Sequence, residues 1–574
     1  MLEFKNKENV LNNITKYTKI TKALSLIRLI LALSIIVFVI AYFSDSDNYI
    51  YLILFIILTF ITTIFIPYSN KYYNKLNEFK NSLNVYEIHT KRRNNKYHTF
   101  DDNGFDLKDK LDYKEADLDL FGKHSLFQYL NCCKTKYGRN KLKDSLINKQ
   151  EYDEDYINTV KKLSETEDSI KLESSLHNFD KDSKNLDYDF LLNGLTKKIK
   201  FEIKFLIPLI WWLGLIGYII YTLIKGFEVN YLYHYFLLFI VLNIISVFSF
   251  SNEIFNYPSI RYYELCSNYE IVISTINEVD IDTKTYKNIK EELNKNKESI
   301  KSVKSILNLL SLRGNFIIKI LLNSFLIFDF WVILLYNHKN RKTDGLNEVF
   351  ENVGKLECIL SLSTIGCDNE VYTTGFNNDT DKIEGVSMYH PLVKDCVDNS
   401  FDLCGGVILT GSNMSGKTTF MRTLAICETL FNANGLVPAK SYKAPKLSIY
   451  TSLRANDMLS EGISTFYAEI LRMKKINQAI SNEKCLILVD EIFKGTNAIE
   501  RISASNQVID KLSLNNVLFI ISTHDFELCD NKNIINYHFN ETYQDDKIQF
   551  DYKIKEGKSD TKNAIYLLKM AEII

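Results

Sequence analysis

The sequence predicts an α/β domain at its C-terminal end, preceded by a mostly α-helical region that two apolar helical hairpins interrupt. Three observations carry this reading. Four stretches of roughly 20 apolar residues, each enough for a helix to cross a bilayer, fall in two tight pairs before residue 251. Other segments alternate Lys with Glu as a solvated helix face does, as in "KTYKNIKEELNKNKESIKSVKSILNLL" from 284 to 310. Beyond residue 376 the short apolar runs "GVILT", "CLILV" and "VLFII" each lead into polar or acidic residues. That is the pattern of buried parallel strands delivering side chains to one sheet edge.

With 574 residues, 46% apolar and 24% charged, the composition is that of an ordinary folded chain with room for several domains. A formal charge of -1 supplies no global pull toward nucleic acid or anionic lipid, so such binding has to come from local patches. The ten cysteines, Cys132 and Cys133 among them, show no paired CxxC and no Cys/His cluster. They read as reduced thiols, and no metal site of zinc type is expected.

In chain order, residues 1 to 22 form a basic start carrying Lys5, Lys7, Lys16, Lys19 and Lys22. Residues 23 to 68 are the first hairpin, with spans at Ala23 to Phe43 and Tyr49 to Tyr68 joined by "SDSDN". Residues 69 to 200 are helical and soluble. Residues 201 to 250 are the second hairpin, with spans at Phe205 to Ile224 and Tyr231 to Phe250 joined by "KGFEVN". Residues 251 to 376 are helical again, and 377 to 574 are the α/β domain. The N-terminal lysines, with Lys71 and Lys75 after the second span, put both long soluble segments on the cytoplasmic side of a cell membrane crossed four times. A fifth apolar run, 316 to 336, contains Lys319, Asn323 and Asp329 and is expected to be a buried soluble helix.

The chemistry is concentrated in the C-terminal domain. "GSNMSGKT" fits G-x-x-x-x-G-K-[ST] between an apolar strand and a helix, the setting of a nucleotide phosphate loop. Gly411, Ser412, Asn413, Met414, Ser415 and Gly416 are expected to turn backbone N–H groups toward phosphates, with Thr419 following in the helix. Lys417 supplies a point charge to the β- and γ-phosphates, and the Thr418 hydroxyl reaches Mg²⁺. In "CLILVDEIFKGTN", Asp490 is expected to hold Mg²⁺ through water and Glu491 to polarise the attacking water. In "VLFIISTHD", His524 ends a core strand, where it is expected to sense the γ-phosphate. "LSEGISTFYAEILRMKKI" opens as a Gly and Ser/Thr cluster before an amphipathic helix, and taken alone it reads as an ordinary capped helix. ATP and Mg²⁺ are therefore the expected ligands.

Taken in order, "TGSNMSGKTTFMRTLA", "GISTFYAEI", "DEIFKGTN" and "STHDFEL" resemble the C-terminal ATPase of MutS-related proteins, a branch of the ABC-type ATPases. "MYHPLV" (388 to 393) precedes the loop as in that family, and "FDYKIKEGKSDTKNAIYLLKMAEI" is similar to its closing segment. "DLDLFGKHSLFQYLNCCKTKYGRNKL" (117 to 142) resembles the start of the family's helical core, and "FENVGKLECILSLSTIG" its end. The resemblance implies a homodimer in which Ser464 of one subunit reaches the γ-phosphate held by the other. It implies adenine packing near Cys396 and Val397, where the aromatic residue of some relatives is missing.

Mismatch-reading relatives carry an N-terminal domain with a Phe-x-Glu wedge, whereas about 22 residues precede the first span here, so mismatch reading is not expected. The "FNE" at 539 to 541 is read as incidental. The favoured function is a membrane-anchored, dimeric MutS-like ATPase acting on DNA near the membrane, possible substrates being branched DNA. The alternative is an ABC-type ATPase energising transport or a membrane protein partner, without a DNA role. A scaffold with a degenerate ATPase has no support, because Lys417, Thr418, Asp490, Glu491 and His524 are all present.

Overall fold

The structure is a computed structural model. It describes residues 2–45, 48–108, 113–189, 191–192, 207–225, 241, 259–312, 334, 345–378, 381–412, 414–454, 465–493, 497–515, 517–532, 534–544 and 547–559. The chain divides into two compact units. One comprises residues 1–133, 139–174 and 357–574, the other residues 134–138 and 175–356.

The first unit begins with α1 (Lys7–Ser44) and α2 (Tyr49–Arg93), a hairpin of helices 38 and 45 residues long. These are the two described helices long and apolar enough to cross a membrane, and their apolar windows are almost wholly unburied within the protein. Both run well past the predicted spans. Beyond Tyr68 the sequence turns polar but keeps helix formers, and no stop comes until Asn94 and Asn95, the latter at φ 55°. The two helices are pinned to each other by polar groups: Arg28 donates to Asn70 Oδ1 (2.6 Å) and to Ile66 O, just before Pro67 of α2, while Ser25 bonds Tyr73. Farther along, Tyr17 stacks on Phe79 with centroids 5.5 Å apart.

The foot of this hairpin is clamped to the body of its own unit. After α3 (Tyr113–Asp117), α4 (Leu126–Leu130), α5 (Lys136–Ile147), α6 (Glu154–Glu165) and α7 (Asp168–Leu176) come α8 (Ile207–Lys225), α9 (Ser259–Glu278), α10 (Lys284–Lys295), α11 (Lys297–Leu312) and α12 (Leu346–Asp368). His89 is buried between Asp368, the last residue of α12, and Glu173. Arg93 donates to Asp368 and to the carbonyls of Leu2 and Cys367, and Arg92 donates to Tyr129 O.

In the second unit, Phe350 gathers Tyr137, Tyr188 and Tyr269 at centroid distances of 4.9 to 5.6 Å. α10 and α11 bury Tyr286, Ile289, Leu293, Ile300 and Val303 and pair Lys301 with Glu298 on their wet side. That is the solvated Lys/Glu face the sequence suggested. The third predicted span forms α8, whose described apolar side chains, such as Leu213 and Ile220, are exposed. The fourth span and the run 316–336 lie outside the described residues, apart from Val241 and Leu334.

The C-terminal α/β domain contains β1 (Phe376–Asn377), β2 (Ile383–Met388), β3 (Asn399–Leu403), β4 (Gly406–Thr410), α13 (Lys417–Asn432), β5 (Ser441–Ala444) and β6 (Ser448–Ser452). α14 (Thr465–Ile480), β7 (Cys485–Asp490), α15 (Ala498–Leu514), β8 (Leu518–Ser522), β9 (Ile535–Gln544) and β10 (Lys547–Glu556) follow. One sheet has the order β10-β9-β4-β8-β7-β6, parallel except for β10, and a smaller mixed sheet has the order β1-β5-β2-β3. β4, β7 and β8 are buried almost throughout, as continuous apolar runs covered on both faces must be. The domain is not separate from the segment around 117. Asp117 accepts from Leu453 N and Arg454 N, and Asp119 pairs with both Arg422 of α13 and Arg454, which is why these regions form one unit.

Candidate functional site

β4 lies between β8 and β9, so the loop that follows it emerges at the centre of the sheet's carboxyl edge, where open α/β sheets bind ligands. The loop's conformation depends on its glycines. Gly411 has φ 142°, and a Cβ there would stand 2.8 Å from Phe539 O. Gly416 has φ 109° and would press on the Tyr552 ring at 3.2 Å. Met414 takes φ 70° with its side chain exposed. The Ser415 hydroxyl is buried without a hydrogen-bond partner among the described residues, and Ser412 donates to Glu541. Lys417, the first residue of α13, folds its ammonium onto the loop's own carbonyls, 2.7 Å from Gly411 O and 2.9 Å from Ser412 O. Asn413 lies outside the described residues.

The end of β7 meets this loop. Thr418 Oγ1 donates to Asp490 Oδ2 at 2.9 Å, and Ser522, opposite Asp490 in the β7–β8 register, donates to the other carboxylate oxygen. Glu491 turns out of the strand at φ 56°, its N–H bonded to Ser522 O. A non-glycine residue in that region is strained, and such strain collects at functional sites. His524 Nε2 lies 3.1 Å from Glu491 Oε1. Arg501 of α15 grips Asp525 with two hydrogen bonds of 2.7 and 2.8 Å, holding the turn that carries His524. The structure thus brings together Lys417, Thr418, Asp490, Glu491 and His524. Ser464 lies outside the described residues.

Beside the loop is a cavity of about 360 Å³ bounded by Cys396, Val397, Thr419, Phe420, Phe539 and Tyr552. Tyr552 on β10 supplies an aromatic ring to its wall, half-exposed and at φ 53°. Asn399 holds it on both sides, donating to Tyr552 O and accepting from Ile554 N. His390 anchors the 390–397 loop. Its Nδ1 accepts from Leu392 N, its own N–H reaches Cys396 Sγ, and burial followed by the nearby Arg422 pushes its pKa down to about 4.

Three of these residues were not assigned from sequence. Phe539 and Glu541 belong to the "FNE" read as incidental, yet Phe539 packs under Gly411 and Gly416, and Glu541 accepts from Ser412. Tyr552 was likewise passed over. The signal is topological: β9 pairs with β4 up to Thr410↔His538, so the next residues of β9 must flank the loop.

The arrangement fits a phosphorylated ligand with a divalent cation. A loop of positive-φ residues with a partnerless buried hydroxyl suits anionic oxygens, and the hydroxyl and carboxylate of Thr418 and Asp490 are hard oxygen donors.

Residues 407–574 match the family model of MutS domain V. The chain is MutS-related. It is 31% identical over 245 residues to the DNA mismatch repair protein MutS of Persephonella marina, covering 40% of this chain and 28% of that protein. It is 35% identical over 172 residues to the DNA mismatch repair protein MutS of Leptospira interrogans (29% and 20%), and 31% identical over 249 residues to mouse MutS protein homolog 4 (40% and 25%). This MutS-related chain therefore spans 20 to 28% of the length of these relatives.

Proposed function

We propose that this protein is a membrane-anchored, MutS-like ATPase whose ATP binding and hydrolysis drive a homodimer cycle acting on DNA. The observation that carries the reading is the chain of contacts Thr418–Asp490–Ser522 with Glu491 and His524 alongside, directly beneath a glycine-shaped loop. The MutS likeness supports the same reading, since that family's C-terminal domain is an ATPase.

In this scheme Lys417 exchanges the carbonyls of Gly411 and Ser412 for the β- and γ-phosphate oxygens. Gly411 to Gly416, Asn413 included, wrap the phosphates with backbone N–H groups, and Thr419 follows at the mouth of the nucleobase cavity. Thr418 and Asp490 would hold Mg²⁺, which when bound would neutralise phosphate charge. Glu491 accepts a hydrogen bond from the attacking water and raises its nucleophilicity, and His524, paired with Glu491, faces the terminal phosphate. Ser464 completes the site across the dimer. Tyr552 and Phe539 enclose the nucleobase with Cys396 and Val397. The hairpin of α1 and α2 anchors the protein in the cytoplasmic membrane, with α8 and the segment after it as the second hairpin and the ATPase on the cytoplasmic side.

The test is ATP hydrolysis by detergent-purified full-length protein and its Glu491→Gln variant, with Mg²⁺ and with duplex, single-stranded or branched DNA at two salt concentrations. Stimulation by one DNA form, weakened by salt and lost in the variant, is expected. Hydrolysis indifferent to every DNA would transfer the engine to a membrane or protein partner, a reading that the clamp between the hairpin's foot and Asp368 favours. Absence of Mg²⁺-dependent hydrolysis would sink both.

A further inference from the structure

A second cavity, of about 430 Å³, lies on the outer side of β6, between α14, the end of α13 and the residues after α5. α13 has Lys417 at its start and Asn432 at its end. At about 1.5 Å per residue, this cavity is roughly 22 Å from the phosphate loop. It belongs to no part of the site described above.

Three buried side chains in its wall carry polar atoms without hydrogen-bond partners among the described residues: Arg472 Nε, Asn432 Oδ1 and Thr451 Oγ1. Each residue is at most 5% exposed. Buried polar atoms left unpaired are costly, so something is expected to satisfy them. Arg472 is otherwise fixed, with Nη1 donating to Arg454 O at 2.9 Å and Tyr113 covering its guanidinium face at 4.3 Å. At the rim stand the exposed Lys149 and Lys475, which form no ion pair among the described residues. The acceptors nearby are already engaged. Glu483 accepts from Ser448 and Tyr450, Lys446 caps the carbonyls at the end of α13, and Lys114 caps Ile147 O at the end of α5. Arg472 is ion-paired with Asp117 at 3.9 Å and Lys149 is within electrostatic reach of Glu483, so among the described residues the cavity keeps Lys475 without a carboxylate partner, Arg472 Nε and Thr451 Oγ1 as unused donors, and Asn432 Oδ1 as an unused acceptor.

We infer that this cavity is a second small-molecule site, built for a phosphate-bearing anion of nucleotide size or smaller. Arg472, Lys149 and Lys475 receive the anionic oxygens, Thr451 adds a hydroxyl donor, and Asn432 accepts from a ligand hydroxyl or amino group. Arg472 and Lys475 both lie on α14, and Asp117, which holds Leu453 N and Arg454 N, is 3.9 Å from Arg472. An occupant therefore bears on the helix that follows the "GIST" segment, and binding there adjusts ATP turnover rather than performing it.

The experiment is calorimetric titration of pyrophosphate, and separately of AMP, into the full-length protein in detergent. It is repeated on Lys417→Ala, on Lys149→Glu with Lys475→Glu, and on Thr451→Val. Saturable binding of either probe is expected to survive Lys417→Ala, to weaken at least tenfold in the double charge reversal, and to weaken severalfold in the near-isosteric Thr451→Val. Pyrophosphate binding alone would define a phosphate site, and tighter AMP binding a nucleotide site. Binding abolished by Lys417→Ala, binding unchanged by the lysine reversals, or no saturable binding of either probe would overturn the inference. Loss of ATP hydrolysis in Lys417→Ala tests the ATPase reading separately.

Discussion

His89 and Asp368 lie 279 positions apart in sequence, and their side chains meet in a buried hydrogen bond of 2.8 Å from Nδ1 to Oδ2. The bond ties the foot of α2 to the last residue of α12, just before the α/β domain begins. Glu173 takes the other ring nitrogen at 3.1 Å.

This clamp is expected to open with alkali. Burial opposes the charged ring, but Asp368 and then Glu173 outweigh it and lift His89 to about 9. A folded-state pKa above the unfolded value of about 6.5 stabilises fully below pH 6.5, and that stability is lost as pH rises through 9. Hydrogen exchange of the last turns of α2 is expected to accelerate between pH 6.5 and 9.5 beyond the intrinsic rate increase. In His89→Gln that extra rise should vanish. An identical pH response in the variant would show that the imidazolium does not hold the clamp.

His390 gives the opposite slope. Its pKa of about 4 lies below the unfolded value, so its contribution is complete above pH 6.5 and is lost as pH falls through 4. The loop from 390 to 397, and with it the wall of the cavity beside the phosphate loop, is expected to loosen in acid. Fluorescent ATP-analogue affinity measured from pH 7 to 4.5 should fall, and His390→Asn, which cannot charge, should flatten that fall. An equal loss of affinity in both proteins would assign the effect elsewhere.

The carboxylate at the end of β7 supports a third test. Asp490 engages Thr418 with one oxygen and Ser522 with the other. Asp490→Asn keeps the size and removes the charge that a divalent cation needs. Hydrolysis is expected to fall about 100-fold or more, with a raised Mg²⁺ requirement. Glu491→Gln, by contrast, should lower turnover on the order of 100-fold while leaving ATP affinity and Mg²⁺ dependence near normal. Equal Mg²⁺ dependence in the two variants would contradict the division of roles.

The positions of Lys417, Thr418, Asp490 and Glu491 were legible because each sits in a short local pattern whose strand and helix context is itself local. The length of α2 was not, because hydropathy marks where the apolar run ends, at Tyr68, and says nothing about where helical hydrogen bonding stops. Phe539, Glu541 and Tyr552 were hidden for another reason. They reach the loop only through the pairing of β9 with β4 and of β10 with β9, which are long-range choices that no window of sequence contains. Asp117 and Asp119 fall in the same class: their carboxylates bind backbone and arginines more than 300 positions away.

Tyr552 offers the sharpest test of the nucleobase cavity. Its ring lines the cavity and lies against Gly416, while its backbone is fixed from both sides by Asn399. Tyr552→Ala removes the ring and leaves those backbone bonds in place. Aromatic contacts of this kind are worth about 0.5–1.5 kcal/mol, so KM for ATP is expected to rise up to about tenfold with kcat little changed. Tyr552→Phe keeps the ring and should behave as the parent protein. The ring lines the cavity beside the loop and is expected to contribute equally to ground state and transition state, and uniform binding lost in this way raises KM alone. A fall in kcat at unchanged KM would place Tyr552 in the chemistry instead of in nucleotide capture.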